Sequence, residues 1–439
     1  MQKTKLSKKF YLALVIFSLV GQVAWVVENM YLNVFIYNMF HASAEQISFM
    51  VAASAVTATV TTLLIGALSD KLGKRKSFIC GGYILWGISI LGFGLITEEN
   101  VHNLFMPTVS LAGAAGALCV TLTIALDCLM TFFGSSANDA CFNAWLTDST
   151  DDTNQGAVEG INAMMPLMAI LVVFGSFMSL DQTKAESWTV IFTVIGAVVL
   201  ALGVAGFFLI EEKTVKSEDN AHYFRNLFYG FLHSVIKSNI SLYLTLAELA
   251  VFNISIQVFL PYLILYYQVS LGMDDYVLIF APAIVVAAVF TGIYGQVFDK
   301  KGFQTAIIPT LALLMIGYGI LYFCRSTVPV FLGSLIMMCG FLGTGAVLGA
   351  MVRDRTPKAK SGMFQGLRIV GQVLIPGVIG PAIGAWVLRD AEKIINSDGT
   401  SSFVPNADIF LAAFVALLAV WVVLVPLFKL VKKGEHHAH

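Results

Sequence analysis

The chain has 439 residues, 58% of them hydrophobic and only 12% charged, with a mean hydropathy of +0.82. Soluble globular proteins carry roughly 25% charged residues, so a water-soluble body of this size could not cover itself, and the solvent for most of the chain is lipid. The net charge of −1 says nothing about partners, but nucleic acid is not expected as one, because no basic face or aromatic-basic stretch exists outside short loops. Its six cysteines lie within or beside apolar runs without metal-ligand spacing, so neither a metal nor a cofactor is expected. No loop pairs a nucleophile with a base, and an enzyme is not expected either.

A helical span needs roughly 20 apolar residues. Reading between charged or turn-rich breaks predicts twelve, near 10–37, 46–68, 77–97, 118–146, 157–179, 188–210, 239–267, 276–297, 304–324, 327–351, 362–388 and 407–429. The runs are too long and too uniformly apolar for barrel strands, so the fold class is an all-α membrane protein. Lys3, Lys5, Lys8 and Lys9 precede the first run without a cleavage site, which makes it an anchor. With the N-terminus inside, inner segments hold 21 Lys and Arg, counting Lys429 at the inner end of the last span, and outer segments hold Lys184, Arg325, Arg389 and Lys393. Both termini are therefore expected on the cytoplasmic side of the cell membrane.

In the first span, Gln22, Trp25, Asn29 and Asn33 follow i, i+3, i+7, i+11 spacing and share one helix face, with Glu28 to one side. An aromatic ring can stack on the apolar face of a sugar while amides and a carboxylate bind its hydroxyls. A polar seam between helices is the competing reading. The second span ends in Gly66-Ala-Leu-Ser-Asp70-Lys-Leu-Gly73, followed by Lys74-Arg75-Lys76. Small Gly66 lets helices approach, and Asp70 can pair with the Lys74-Arg75-Lys76 cluster across a cytoplasmic gate; a tight basic turn is the competing reading for Lys74 and Lys76.

The fourth span is polar on two sides, with Asp127, Thr131 and Asn138 along one and Ser136, Asp139 and Asn143 along the other. Such a helix cannot face much lipid and is expected centrally. Asp127 lies deeper and is the better proton carrier, while Asp139 fits either a carrier or a gate residue near the interface. In the seventh span Ser241, Thr245, Glu248 and Ser255 align, with Asn253 and Gln257 opposite and Pro261 allowing a bend. The eleventh carries Gln365, Arg368, Gln372 and Pro376 in one stripe, and Arg368 offers a planar fork for a carboxylate of the solute or of the protein. Glu28, Asp127, Asp139, Glu248 and Arg368 are ionisable groups in spans, each a functional candidate by default. Four acids against one base cannot all be charged and dry, so some are expected to be protonated, solvated or cation-bound.

Two internal repeats stand out. The GxxxDxxG motif recurs as Gly295…Asp299…Gly302, and Asp148, Thr150, Gly156 and Gly160 recur as Asp354, Thr356, Gly362 and Gly366. The chain therefore divides into a six-helix bundle over 1–210, a polar linker over 211–238 and a second bundle over 239–439. The first offset is 229 residues and the second 206. The 23 extra residues of the first half are assigned to 98–118, an outer interfacial or re-entrant segment, because an extra crossing would put Asp148 and Asp354 on opposite sides.

The run Gly66–Lys76 resembles the loop motif of the major facilitator superfamily, which implies two six-helix halves opening alternately to each side. Asp70, Arg75, Asp148, Asp299, Arg353 and Asp354, with Gly66 and Gly73, would then form the cytoplasmic gate. Asn138-Asp139-Ala-Cys-Phe-Asn143-Ala-Trp145-Leu-Thr-Asp148-Ser-Thr150 is similar to the fourth span of the glycoside–pentoside–hexuronide:cation symporter branch, and Arg353-Asp354-Arg-Thr356-Pro357 through Arg368 has the same flavour. Members that use sodium carry paired acids in the second span; here Ala53 to Gly66 has none, with Ala58 and Thr62 in that neighbourhood, and Gln155 stands where an Arg is usual. Proton coupling is accordingly expected over sodium.

The expected function is import of a small polar solute, a sugar or glycoside, by cation symport. Gln22, Trp25, Asn29, Asn33, Asn138, Gln257, Arg368 and Gln372 would bind the solute, and Glu28, Asp127, Asp139 and Glu248 would couple the cation. The lipid bilayer is the other partner, and a monomer is expected. A proton-coupled exporter of amphiphiles, with Met164, Met165 and many Phe lining a greasy cavity, is the first alternative. A non-transporting receptor is the second, disfavoured because 211–238 is too short to fold alone.

Overall fold

The computed structural model describes residues 6–105, 114–151, 154–211, 229–273, 275–356, 366–396 and 399–436. Twelve helices among them are long and apolar enough to cross a membrane, as the hydropathy pattern predicts. Two compact units result: Met1–Gln46 with Ala53–Tyr223 and Ile395–Ser402, and Ile47–Ala52 with Phe224–Ile394 and Phe403–His439. The division at Tyr223 lies inside the polar stretch 211–238, of which 212–228 fall outside the described residues.

The first unit contains the spans Lys8–Phe40, most of Ala44–Leu72, Arg75–Phe93, Ala115–Ser149, Ala157–Phe177 and Ala185–Leu209. Helix ends follow local chemistry. Ser7 Oγ accepts from the Phe10 N–H at 3.1 Å, and Ser43 and Gln46 form a reciprocal cap that starts the second span. Gly73 ends that span at φ +62°, a left-handed position that glycine takes without a Cβ penalty. The third and sixth spans meet at backbone distance: a Cβ on Gly87 would lie 2.5 Å from the Leu200 nitrogen, and one on Gly203 2.6 Å from that of Ile84. Without a hydrophobic drive between helices in lipid, such close contact supplies the packing energy.

The predicted extra segment 98–118 takes shape as a short helix, Glu98–Phe105, with only Val101 buried. Its remainder over 106–113 lies outside the described residues, and the fourth span begins at Ala115.

The second unit contains Ile240–Ser270, Tyr276–Phe298, Lys300–Phe323, Thr327–Arg355, Gly366–Val387 and Asp408–Leu430. Gly302, at φ +76° and ψ 174°, turns the chain between the eighth and ninth spans, so the repeated motif ends on a positive-φ glycine in both halves. Gly317 of the ninth span and Gly340 of the tenth bring those two spans together at backbone distance, against Met337 and Leu314 respectively. A two-stranded hairpin, Lys393–Ile395 with Ser401–Phe403, lies between the last two spans and has no counterpart among the predicted elements.

Among the described residues, four spans contain π-helical turns: Val27–Tyr31 in the first, Ser135–Phe142 in the fourth, Tyr266–Ser270 in the seventh and Val370–Leu374 in the eleventh. Each falls in one of the four spans singled out for its polar residues. Such turns insert an extra residue, rotate the helix beyond them and recur at functional sites.

Candidate functional site

The π-helical turn of the first span explains where its polar residues go. Glu28 sits within it and is buried. Gln22 and Trp25 before it are half-buried and Asn29 is exposed, whereas Asn33 beyond it has 0% exposure. The face predicted from 3.6-residue periodicity does not continue through the turn, because the inserted residue rotates Asn33 inward. Both asparagines fold back onto the helix: Asn29 Nδ2 donates to the Trp25 carbonyl at 2.8 Å, and Asn33 Nδ2 to the Asn29 carbonyl at 2.9 Å.

Two hydroxyl oxygens meet the buried end of Glu28. Ser54 Oγ of the second span lies 2.5 Å from Glu28 Oε1, Thr131 Oγ1 of the fourth lies 3.0 Å from the same atom, and the two hydroxyls are 2.8 Å apart. Asp127, one turn before Thr131, is 1% exposed and within electrostatic reach of Glu28. Glu28 Oε2 and Asp127 Oδ1 have no hydrogen-bond partner among the described residues. Two buried carboxyls, two hydroxyls and two open oxygens form a cluster that supplies only oxygen ligands. A buried charge with no counter-charge costs several kcal/mol, so a proton or small cation is what such a cluster can hold.

Next to it, Ser135 Oγ donates to Asp139 Oδ2 at 3.0 Å, and the Trp25 indole N–H is directed at the same carboxylate. Gly134 leaves the room that this requires, since a Cβ there would lie 2.9 Å from the Trp25 ring and 2.7 Å from Trp86. The Trp25 and Trp86 ring centroids are 4.9 Å apart. Trp25 is thus the link between the first span and the Asp139 turn, with one part of its surface still open. Asn138 is buried against the first span, where a Cβ on Gly21 would meet its Nδ2 at 2.6 Å.

At the end of the unit that carries the basic loop, Arg75 is 4% exposed and spans two acids. Its guanidinium pairs with Asp70, reaches Asp148 Oδ2 through Nε at 3.1 Å and donates to Ser69 Oγ at 2.5 Å. Asp70, Arg75 and Asp148 all belong to this one unit and tie its second, third and fourth spans together. Gly66 faces only Ala140 Cβ, at 3.9 Å, an ordinary contact and not a close approach.

The corresponding residues of the second unit are arranged differently. Arg353 and Asp354 are exposed and make no ion pair among the described residues. The side chain of Asp299 and the residues Pro357, Gly362 and Gln365 lie outside what is described. Arg355, which the sequence reading passes over, instead reaches the seventh span, donating from Nη1 to Thr245 Oγ1 at 3.0 Å and to the Ser241 carbonyl at 3.3 Å. Glu248, one turn further on, is fully buried. Arg368 Nε donates to Gln372 Oε1 at 3.2 Å on the exposed face of the eleventh span. Half-buried Gln257 backs onto Gly380, where an added Cβ would collide with its own.

Ser54, Trp86 and Arg355 are the participants that sequence reasoning missed. One serine among the several hydroxyl residues of the second span and an arginine beside two charged neighbours carry no signal of their own. For Arg355, its position one turn beyond the tenth span's last apolar residues was the one available cue.

A family model described as Major Facilitator Superfamily matches residues 11–350. No curated protein sequence matches the chain. Among solved structures, a D-xylose–proton symporter superposes with a TM-score of 0.72 at 13% identity, covering 94% of this chain and 96% of that one. A bacterial homolog of the human lysosomal transporter Spinster gives 0.70 at 14% identity, covering 97% and 98%. The nucleoside transporter NupG gives 0.65 at 11%, covering 96% and 98%. At such identities the likeness shows the fold alone, the twelve-helix major facilitator fold.

Proposed function

Since the chain belongs to the Major Facilitator Superfamily and is a multi-pass membrane transporter, we propose that it imports a sugar or a related polar solute together with a proton, by alternating access. The observation that carries this reading is the oxygen cluster of Glu28, Asp127, Ser54 and Thr131, buried and without a cationic partner among the described residues. Taking up a proton there leaves a single carboxylate charge, removes the repulsion between the two carboxyls and lets the neighbouring first and fourth spans close around a solute; giving it up restores that repulsion. Trp25, with Asp139 on its indole N–H, and the accessible Gln22 and Asn29 offer the ring and the hydrogen-bonding groups that a sugar needs. Asp70, Arg75 and Asp148 hold the gate end of the first unit, which the distribution of Lys and Arg assigns to the cytoplasm together with both termini. Similar solved structures include transporters named for xylose and for nucleosides, which agrees with a hydroxyl-rich solute.

The test is purified protein in liposomes containing a pH dye, challenged with D-xylose, a set of glycosides and hexuronides, and uridine, with and without sodium. Internal acidification by one solute, unaffected by sodium, is the expected result. Solute uptake that requires sodium and leaves the dye unchanged would overturn proton coupling. Silence across the whole panel would overturn the solute class.

A further inference from the structure

The seventh span holds a second buried acid that the mechanism above does not use. Glu248 has 0% exposure, and neither of its carboxyl oxygens has a hydrogen-bond partner among the described residues. The charged group acting on it is Arg355, on which Asp354 also acts. Yet carboxyl and guanidinium do not touch. Arg355 is instead seated one turn away, where its Nη1 serves Thr245 Oγ1 and the Ser241 carbonyl. The Thr245 hydroxyl itself donates to the Ser241 carbonyl at 2.8 Å, so its oxygen is left to accept from the arginine.

An arginine fork meets a carboxylate best through two parallel N–H···O bonds. Here the two groups interact electrostatically, but the pair is not made. A bare buried carboxylate whose nearest guanidinium is hydrogen-bonded elsewhere is an unstable arrangement, whereas a carboxylic acid in the same place asks only for packing. The donor seat on Thr245 and Ser241 gives the arginine somewhere to wait. Ser241, Thr245 and Glu248 share one helix face at i, i+4, i+7 spacing, so moving from seat to carboxyl is a shift of one helical turn along that face.

Resting on the proton-symport reading, we infer that Glu248 is a second proton site, contained within the carboxy-terminal unit, and that Arg355 is the positioning residue whose cation replaces that proton when it leaves to water. Transport would then carry two titrating sites, one in each unit, the Glu28 cluster being the other.

The experiment needs no solute, which keeps its failure separate from failure of the symport reading. Infrared spectra of the full-length protein in lipid vesicles are recorded while the proton is titrated, following the C=O stretch of protonated buried carboxyls. Loss of one component of that band in Glu248→Gln is expected. The pH at which the same component disappears is expected to move by about one unit in Arg355→Gln and to stay in place in Arg353→Gln. A band unchanged in E248Q overturns the site. A component that is lost in E248Q yet titrates identically in R355Q overturns the role of the arginine. If E248Q does not insert, Glu248→Asp is the substitute: the component shifts in frequency if Glu248 carries the proton and is unmoved if it does not.

Discussion

The two units answer the same problem, an acid inside a membrane span, in opposite ways. Glu28 is surrounded by hydroxyls from two neighbouring spans, with a second carboxyl close by. Glu248 is given no hydrogen bond among the described residues, and a guanidinium is parked a turn away. The loops differ in the same sense. In the first unit Arg75 clamps Asp70 and Asp148. At the offset of 229 residues its place in the second is taken by Gln304, whose amide donates to the Phe428 carbonyl at 3.2 Å. An internally repeated sequence has thus kept its backbone turns, at Gly73 and Gly302, while its charges have been redistributed. The turn is fixed by positive-φ backbone that glycine takes at the least steric cost, whereas an ion pair can be exchanged for a neutral hydrogen bond without changing the fold.

The contrast can be sharpened by substitution. Arg75→Ala is expected to have the largest effect on stability, about 2–4 kcal/mol, since it strands two carboxylates that are each about one-third exposed. Gln304→Ala, at the equivalent place, is expected to cost only about 1 kcal/mol. Chemical unfolding in detergent micelles compares the two, and equal losses would mean that the brace is not special to the first unit. Gly302→Ala comes next, at about 2 kcal/mol, with Gly73→Ala somewhat less, because the extended ψ of Gly302 lies in a region that is nearly glycine-only. Neither glycine has an atom within 4 Å of an added Cβ, so any loss read by the same unfolding measurement reports the backbone alone.

Smaller effects test the cluster itself. Ser54→Ala removes the shorter of the two contacts to Glu28 and is expected to change the apparent affinity for the driving proton roughly three- to tenfold, corresponding to about 1 kcal/mol. Thr131→Val is expected to change it less, because its contact is longer. Initial uptake rate as a function of external pH gives both values, and an unchanged profile in Ser54→Ala would detach the hydroxyls from coupling. The smallest expected change is in Asn33→Ala, about 1 kcal/mol of stability from one buried side chain–backbone bond, with Asn29→Ala below it because Asn29 is exposed.

Hydropathy alone was enough to read the twelve spans, since lipid forces long apolar helices and leaves few alternatives. The repeats were legible because glycine and aspartate at the same spacing, twice over in one chain, rarely coincide by chance. Buried acids were legible too, each being conspicuous in an apolar run. The partners of those acids were not. Ser54 meets Glu28 across 26 residues and Thr131 across 103, and which hydroxyl faces which acid depends on how three helices pack. Helical periodicity failed at Asn33 for a local reason: a π-helical turn changes the residue count per turn without leaving a mark in composition. Arg355 was hidden in a similar way, for its neighbours Arg353 and Asp354 looked equally able to act and are the ones that face outward.

The central claim is that the Glu28–Asp127 cluster couples a cation to solute movement. Asp127→Asn tests it most directly, in liposomes loaded for both net uphill uptake and solute exchange. Uphill accumulation is expected to vanish while exchange persists within about threefold, because exchange needs the solute site but no release of the proton. Accumulation equal to that of the unaltered protein would contradict the account and return the cluster to a role in helix packing.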